Sequence, residues 1–140
     1  MVILHGLFGS GRNWAGIAKQ LAATHRVYLV DARNHGDSPW ADRMTYEDMA
    51  GDVAEFIAAE HIDRPVLLGH SMGGKIAMTL SLTRNDLIGG LVIADIAPIA
   101  HAIRFDDYVG AMQGLDFSAV GRRADADALL ASAIDRKSVV

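Results

Sequence analysis

Ser71 is the residue in this sequence best placed to do chemistry, because of the residues around it. It stands at the centre of Gly69-His70-Ser71-Met72-Gly73, a G-x-S-x-G that directly follows the apolar run Pro65-Val66-Leu67-Leu68. The run reads as a buried strand and the segment from Gly74 to Thr83 as a helix. Strand, five-residue motif and helix together describe a nucleophile elbow. A serine on so sharp a turn is driven toward positive φ, and its neighbours two positions away on either side crowd the turn unless they lack a Cβ. The hydroxyl then stands at the N-terminus of the following helix, where developing negative charge is favoured. The chemistry this predicts is acyl transfer. The competing reading is a glycine-rich turn with an incidental serine.

A second motif weakens that competing reading. Met1 to Leu4 is another apolar run, and it leads into His5-Gly6-Leu7-Phe8-Gly9-Ser10-Gly11. An acyl-transfer site needs two preorganised N–H donors for the oxyanion. One is expected from Met72, the residue after the nucleophile. The other is expected from the glycine-containing loop, as the N–H of Leu7 or of Phe8. The His5 side chain itself reads as a turn residue hydrogen-bonded to backbone, with function carried by the loop's main chain.

The elements that must position these groups follow from periodicity. Asn13 is expected to cap a helix with Trp14, Ile17, Ala18 and Leu21 on one face. Val27 to Val30 reads as a strand ending at Asp31. Thr45 and Asp48 form a capping-box variant opening a helix striped by Tyr46, Met49, Ala50, Val53, Phe56 and Ile57. Leu91 to Ala94 is the fourth strand, ending at Asp95. Four apolar strands separated by amphipathic helices predict an α/β fold, a parallel sheet of about four strands with helices on both faces. From Ile103 onward the pattern turns helical, around Tyr108 to Met112 and Ala124 to Ile134. The expected organisation is a core over 1–98, a helical cap segment over 99–134 and a tail over 135–140.

Composition sets the outer limits. The 140 residues are 51% hydrophobic with a net charge of −4, which fits one globular domain and gives nucleic acid no basic surface to bind. No apolar run is long enough to span a bilayer. With no cysteine there is no disulfide and no thiol nucleophile. The six histidines show no metal-ligand spacing, so no metal and no cofactor are expected. The compartment stays open, with the cytoplasm as the expectation.

Taken together, His5 to Ser10, Arg33 to Pro39, Gly69 to Lys75 and Asp95 to Pro98 resemble, in order, the motifs of the small esterases of the α/β-hydrolase superfamily. The resemblance implies a central first strand flanked by the second strand and the elbow strand. It also implies a serine hydrolase acting on small-molecule esters or thioesters, with an acyl-enzyme on Ser71. The family's triad runs Ser, acid, His. Asp95 matches the family's D-I-A-P aspartate and is the expected acid, against a reading as a strand-end carboxylate capping the next turn. The family's histidine falls on a late loop that has no counterpart in this sequence. The chain is therefore expected to be an inactive fragment, lacking two early strands, part of the cap and the C-terminal segment. Residues 135–140 depart from the family and read as a translated sequencing-adapter end. His35 is expected to bond within its loop, Arg33 to hold nearby carbonyls or Asp31, and His70 to pack behind the serine. His25, His61 and His101 read as solvated. The alternatives kept open are a non-catalytic ligand-binding or scaffold homologue, and a C–C hydrolase, lyase or perhydrolase on the same scaffold.

Overall fold

Four short apolar runs pair side by side in the computed structural model, which describes residues 1–99, 106–116, 118 and 120–133. They are β1 (Val2–Leu4), β2 (Tyr28–Val30), β3 (Val66–His70) and β4 (Gly90–Ala94). All pairings are parallel, in the order β2-β1-β3-β4. Leu4 lies opposite Val30 on one side and Gly69 on the other. The first strand is thus central, as the motifs implied.

This order dictates where the helices go. Parallel connections are right-handed, so reversing the direction of travel across the sheet moves the helix to the other face. The step from β1 to β2 puts α1 (Ala15–Leu21) on one face. The steps from β2 to β3 and from β3 to β4 put α2 (Tyr46–Ala59) and α3 (Met72–Thr83) on the other. There α3 lies on β1, β3 and β4 while α2 packs on α3. Val2, Leu4 and Leu67 join Met49, Val53, Ile57, Ile76 and Leu80 in one core. The opposite face is covered more thinly. The single helical turn Gly11–Trp14 sits against Leu29, and Val92 keeps 44% of its surface in solvent.

The capping box at α2 forms as the sequence predicts. Thr45 accepts from the Asp48 N–H at 3.1 Å, and the Asp48 carboxylate returns to the Thr45 N–H at 3.3 Å. The first helix differs from expectation. Asn13 does not cap it but reaches back to accept the Ser10 N–H at 2.7 Å, which tightens Gly11–Trp14 into a 3₁₀ turn and delays α1 to Ala15. Of the predicted stripe only Ala18 is buried, and Ile17 is exposed.

The chain divides into two compact units, Met1–Ile99 and Ala100–Val140. The second contains α4 (Asp106–Gln113) and α5 (Arg123–Ala133), which pack on each other. His101, Ile134 and the tail over 135–140 lie outside the described residues.

Candidate active site

The elbow is built by removing side chains where two backbones must touch. A Cβ on Gly69 would stand 2.3 Å from the Gly73 carbonyl oxygen, and one on Gly73 would stand 2.3 Å from the carbonyl oxygen of Leu4. Both are far inside van der Waals contact, so only glycine lets α3 begin directly above the ends of β1 and β3. Ser71 occupies the tip at φ 51°, ψ −115°. That lies outside even the left-handed helical basin, near φ +57° and ψ about +47°. Such strain costs about 1–3 kcal/mol and persists only where surrounding packing imposes it. The Ser71 N–H donates to the Ala94 carbonyl at 3.0 Å, tying the elbow to the end of β4. Met72 opens α3, so its N–H is one of the helix's first N–H groups, which have no intrahelical acceptor.

The loop after β1 comes to the same place. A Cβ on Gly6 would lie 3.4 Å from Ser71 Cβ and 2.9 Å from His70 Nδ1. Leu7 and Phe8 are the central residues of a tight turn closed by the Gly9 N–H on the Gly6 carbonyl at 3.0 Å. Phe8 sits at φ 61° and Asp95 at φ 56°, so together with Ser71 three of the predicted site positions have positive φ.

Two other groups fix this loop. His5 is buried, with 2% of its surface exposed. The Ala32 N–H donates to its Nε2 at 3.1 Å, and its Nδ1 lies 2.8 Å from the Gly6 carbonyl. A backbone N–H can only donate, so Nε2 presents a lone pair and the proton is on Nδ1, donated to Gly6. Burial, seconded by His35, pushes the imidazole below its ordinary value, opposed by the Gly6 hydrogen bond and Asp31. Asp31 accepts the N–H of Gly11 at 2.6 Å and that of Asp37 at 2.9 Å. Burial would raise its carboxyl, but these hydrogen bonds and the neighbouring His5 and Arg12 bring it below the usual range.

Two predicted roles need adjustment, and a third stands. Arg33 does hold backbone carbonyls, those of Arg43 and Asp48, but its carboxylate partner is Asp52 and not Asp31. Its Nε and Nη2 each donate to Asp52 at 2.6 Å, a bidentate pair bracing the loop against α2. His70 does not pack behind the serine. It lines a cleft of about 360 Å³ with Gly6, Leu7, Phe8 and Trp14, its ring 5.9 Å from the Trp14 ring. Its Nε2 lies 3.7 Å from Asp95 Oδ2. His35 does bond within its loop, to the Arg33 carbonyl at 3.0 Å. Among the described residues no side chain hydrogen-bonds the Ser71 hydroxyl. Trp14 as a wall was invisible in the sequence; His5 is hydrogen-bonded to backbone as expected, but its second partner, the Ala32 N–H of another loop, was not foreseen.

A strained serine over a parallel sheet, between a helix N-terminus and a glycine loop, has a family to belong to. Residues 1–129 match the model described as alpha/beta hydrolase fold. The chain belongs to this family. The alpha/beta hydrolase is 45% identical over 118 residues to the sn-1-specific diacylglycerol lipase ABHD11 of Danio rerio, covering 81% of this chain and 37% of that protein. It is 38% identical over 141 residues to Esterase YbfF of Escherichia coli K12, covering 100% of this chain and 56% of the relative. A solved structure described as a marine microorganism esterase superposes with a TM-score of 0.83 at 40% identity, over 99% of this chain and 55% of that one. This alpha/beta hydrolase is therefore homologous to esterases and lipases, and it spans about half of their length or less. Among the described residues no helix is long and apolar enough to cross a membrane.

Proposed function

We propose that this chain carries the nucleophile and oxyanion half of a serine hydrolase for carboxylic esters or thioesters. The observation that carries the reading is the strained, positive-φ Ser71 at the head of α3 with the Gly6 loop against it. Ser71 attacks the carbonyl carbon, and the Met72 N–H receives the charge that develops on its oxygen. The second donor is the N–H of Leu7 rather than that of Phe8. The Gly6 carbonyl is anchored by both His5 and Gly9. In a planar trans peptide the following N–H points the opposite way, so Leu7 has the more firmly directed donor.

Asp95 orients the general base, and that base is a histidine outside the described residues. Both ring nitrogens of His5 are engaged by backbone, His35 is bonded to Arg33, and His70 faces Asp95. Without a base the serine keeps its proton and attacks slowly. The oxyanion groups and binding alone still leave an acceleration on the order of 10³-fold over water. The test is hydrolysis of p-nitrophenyl acetate by the 140-residue chain and by Ser71→Ala, with and without added imidazole. We expect weak Ser71-dependent turnover that imidazole raises in wild type and not in the variant. Equal rates in the two proteins under all conditions contradict the reading. Fast Ser71-dependent turnover without imidazole makes one of the present histidines the base, with His35 the first to be replaced.

A further inference from the structure

We infer that His5, neutral and protonated on Nδ1, is the positioning residue of the oxyanion loop: it sets the Gly6–Leu7 peptide so that the Leu7 N–H faces the reacting oxygen, and it releases that peptide when protonated. The inference rests on the serine hydrolase reading above.

His5 is the only buried polar or charged side chain of the described core, and the chemistry at Ser71 does not use it. Burying an imidazole is unfavourable unless both nitrogens find partners. Here they do, and the partners lie on different loops. Nε2 takes the Ala32 N–H from the loop after β2, and Nδ1 gives its proton to the Gly6 carbonyl in the loop after β1. The imidazole is thus a rigid spacer between two loops. The Gly9 N–H reaches the same Gly6 oxygen. A Cβ on Gly9 would lie 2.9 Å from that oxygen and 3.4 Å from His5 Nδ1, so the space around the anchored carbonyl is fully used. Two donors on one carbonyl fix a peptide plane, and the plane fixes the direction of the Leu7 N–H. An oxyanion donor acts through preorganisation, so the residue that sets its direction contributes to the rate without touching substrate.

The clamp has an acid limit. A second ring proton would sit on Nε2, facing the Ala32 N–H, and two donors cannot share that 3.1 Å contact. The ring must then turn, and its bond to Gly6 is lost. The groups facing the imidazole are Asp31, 4.0 Å from Nε2, and His35, with ring centroids 5.1 Å apart. Burial holds the neutral form through neutral pH. Since the folded chain takes up this proton less readily than the unfolded one, the stabilisation from His5 is complete above about pH 6.5 and is lost as pH falls. Protonation of the folded form, with loss of the Leu7 donor, comes at a lower pH than that.

Two variants separate positioning from bulk stability. In His5→Asn the side-chain amide can replace Nδ1–H toward Gly6. In His5→Gln the longer side chain can replace Nε2 toward Ala32 and leaves Gly6 unanchored. With imidazole as external base, Ser71-dependent kcat should stay within a few-fold of wild type for His5→Asn. It should fall about a hundredfold for His5→Gln with KM little changed. Equal losses in both variants, or a loss confined to KM, overturn the inference. A second arm needs neither variants nor turnover. Nitrogen-15 NMR of the wild-type chain should show His5 as the Nδ1–H tautomer at neutral pH, with the Leu7 amide resonance moving in step with His5 protonation. An Nε2–H tautomer, or a Leu7 amide indifferent to His5, overturns the inference by itself. Absence of Ser71-dependent turnover contradicts the hydrolase reading instead, and the NMR arm still decides the clamp.

Discussion

The surroundings of Asp95 decide its role. Its carboxylate keeps 89% of its surface in solvent and lies 3.7 Å from His70 Nε2. Arg33 does not compete for it, being committed to Asp52. The backbone at Asp95 is left-handed, and the preceding carbonyl holds the Ser71 N–H. A carboxylate so tethered to the elbow, and otherwise exposed, is available to a base arriving from outside the described residues. In the enzyme with its base in place, Asp95→Asn should lower kcat by about 10⁴-fold, the effect of losing the carboxylate that sets a histidine's tautomer. Turnover within a few-fold of wild type would make Asp95 a strand-end capping residue. At this scale the sequence was partly legible. Types and spacing pointed to Ser71, Met72 and the Leu7–Phe8 loop, which the fold brings close together, but not to the partners of the supporting side chains. Arg33 meets Asp52 only because α2 crosses beneath its loop, and no local pattern encodes a contact between residues 19 apart.

Two glycines on neighbouring helices should respond to the same substitution with opposite signs. On α3, the Gly73 Cβ position collides with the Leu4 and His5 carbonyl oxygens, at 2.3 and 2.7 Å. On α2, the Gly51 position has nothing within 4 Å. Gly73→Ala should therefore destabilise the fold by about 1–3 kcal/mol or more through overpacking. Gly51→Ala should stabilise it by roughly 0.5–1 kcal/mol through helix propensity alone. Urea denaturation monitored by circular dichroism reads both, and a Gly73→Ala protein as stable as wild type would contradict the close packing of the elbow. Elements were the most legible level of the sequence. All four strands lie on the predicted apolar runs because strands buried in a parallel sheet must be apolar throughout. Their ends moved by one or two residues, as at β3, which continues through His70 to pair with Ala94. The Gly11–Trp14 turn escaped prediction because Asp31, twenty residues away, takes the Gly11 N–H.

Across the whole chain, the sheet order brings the site together. Reversal of direction between β1 and β3 leaves a crevice at the strands' carboxyl ends, where ligands of open α/β sheets bind. The Gly6 loop and the elbow both fall there. β2 and β4 are the outer strands of this four-stranded sheet, and Leu91 and Val92 of β4 are exposed. The curated relatives named above are about twice as long or more, with this chain covering 37% and 56% of them. Fold and family were legible because the motifs lie within the first hundred residues; the base was not, since among the described residues no side chain hydrogen-bonds the Ser71 hydroxyl. The central claim is that Ser71 is the nucleophile. The most direct measurement is intact-mass and peptide-mapping spectrometry of the chain after incubation with a fluorophosphonate in the presence of imidazole. The account predicts a single covalent adduct on Ser71 that is absent from Ser71→Ala. An adduct on another residue, or none on Ser71 even with imidazole, would contradict it.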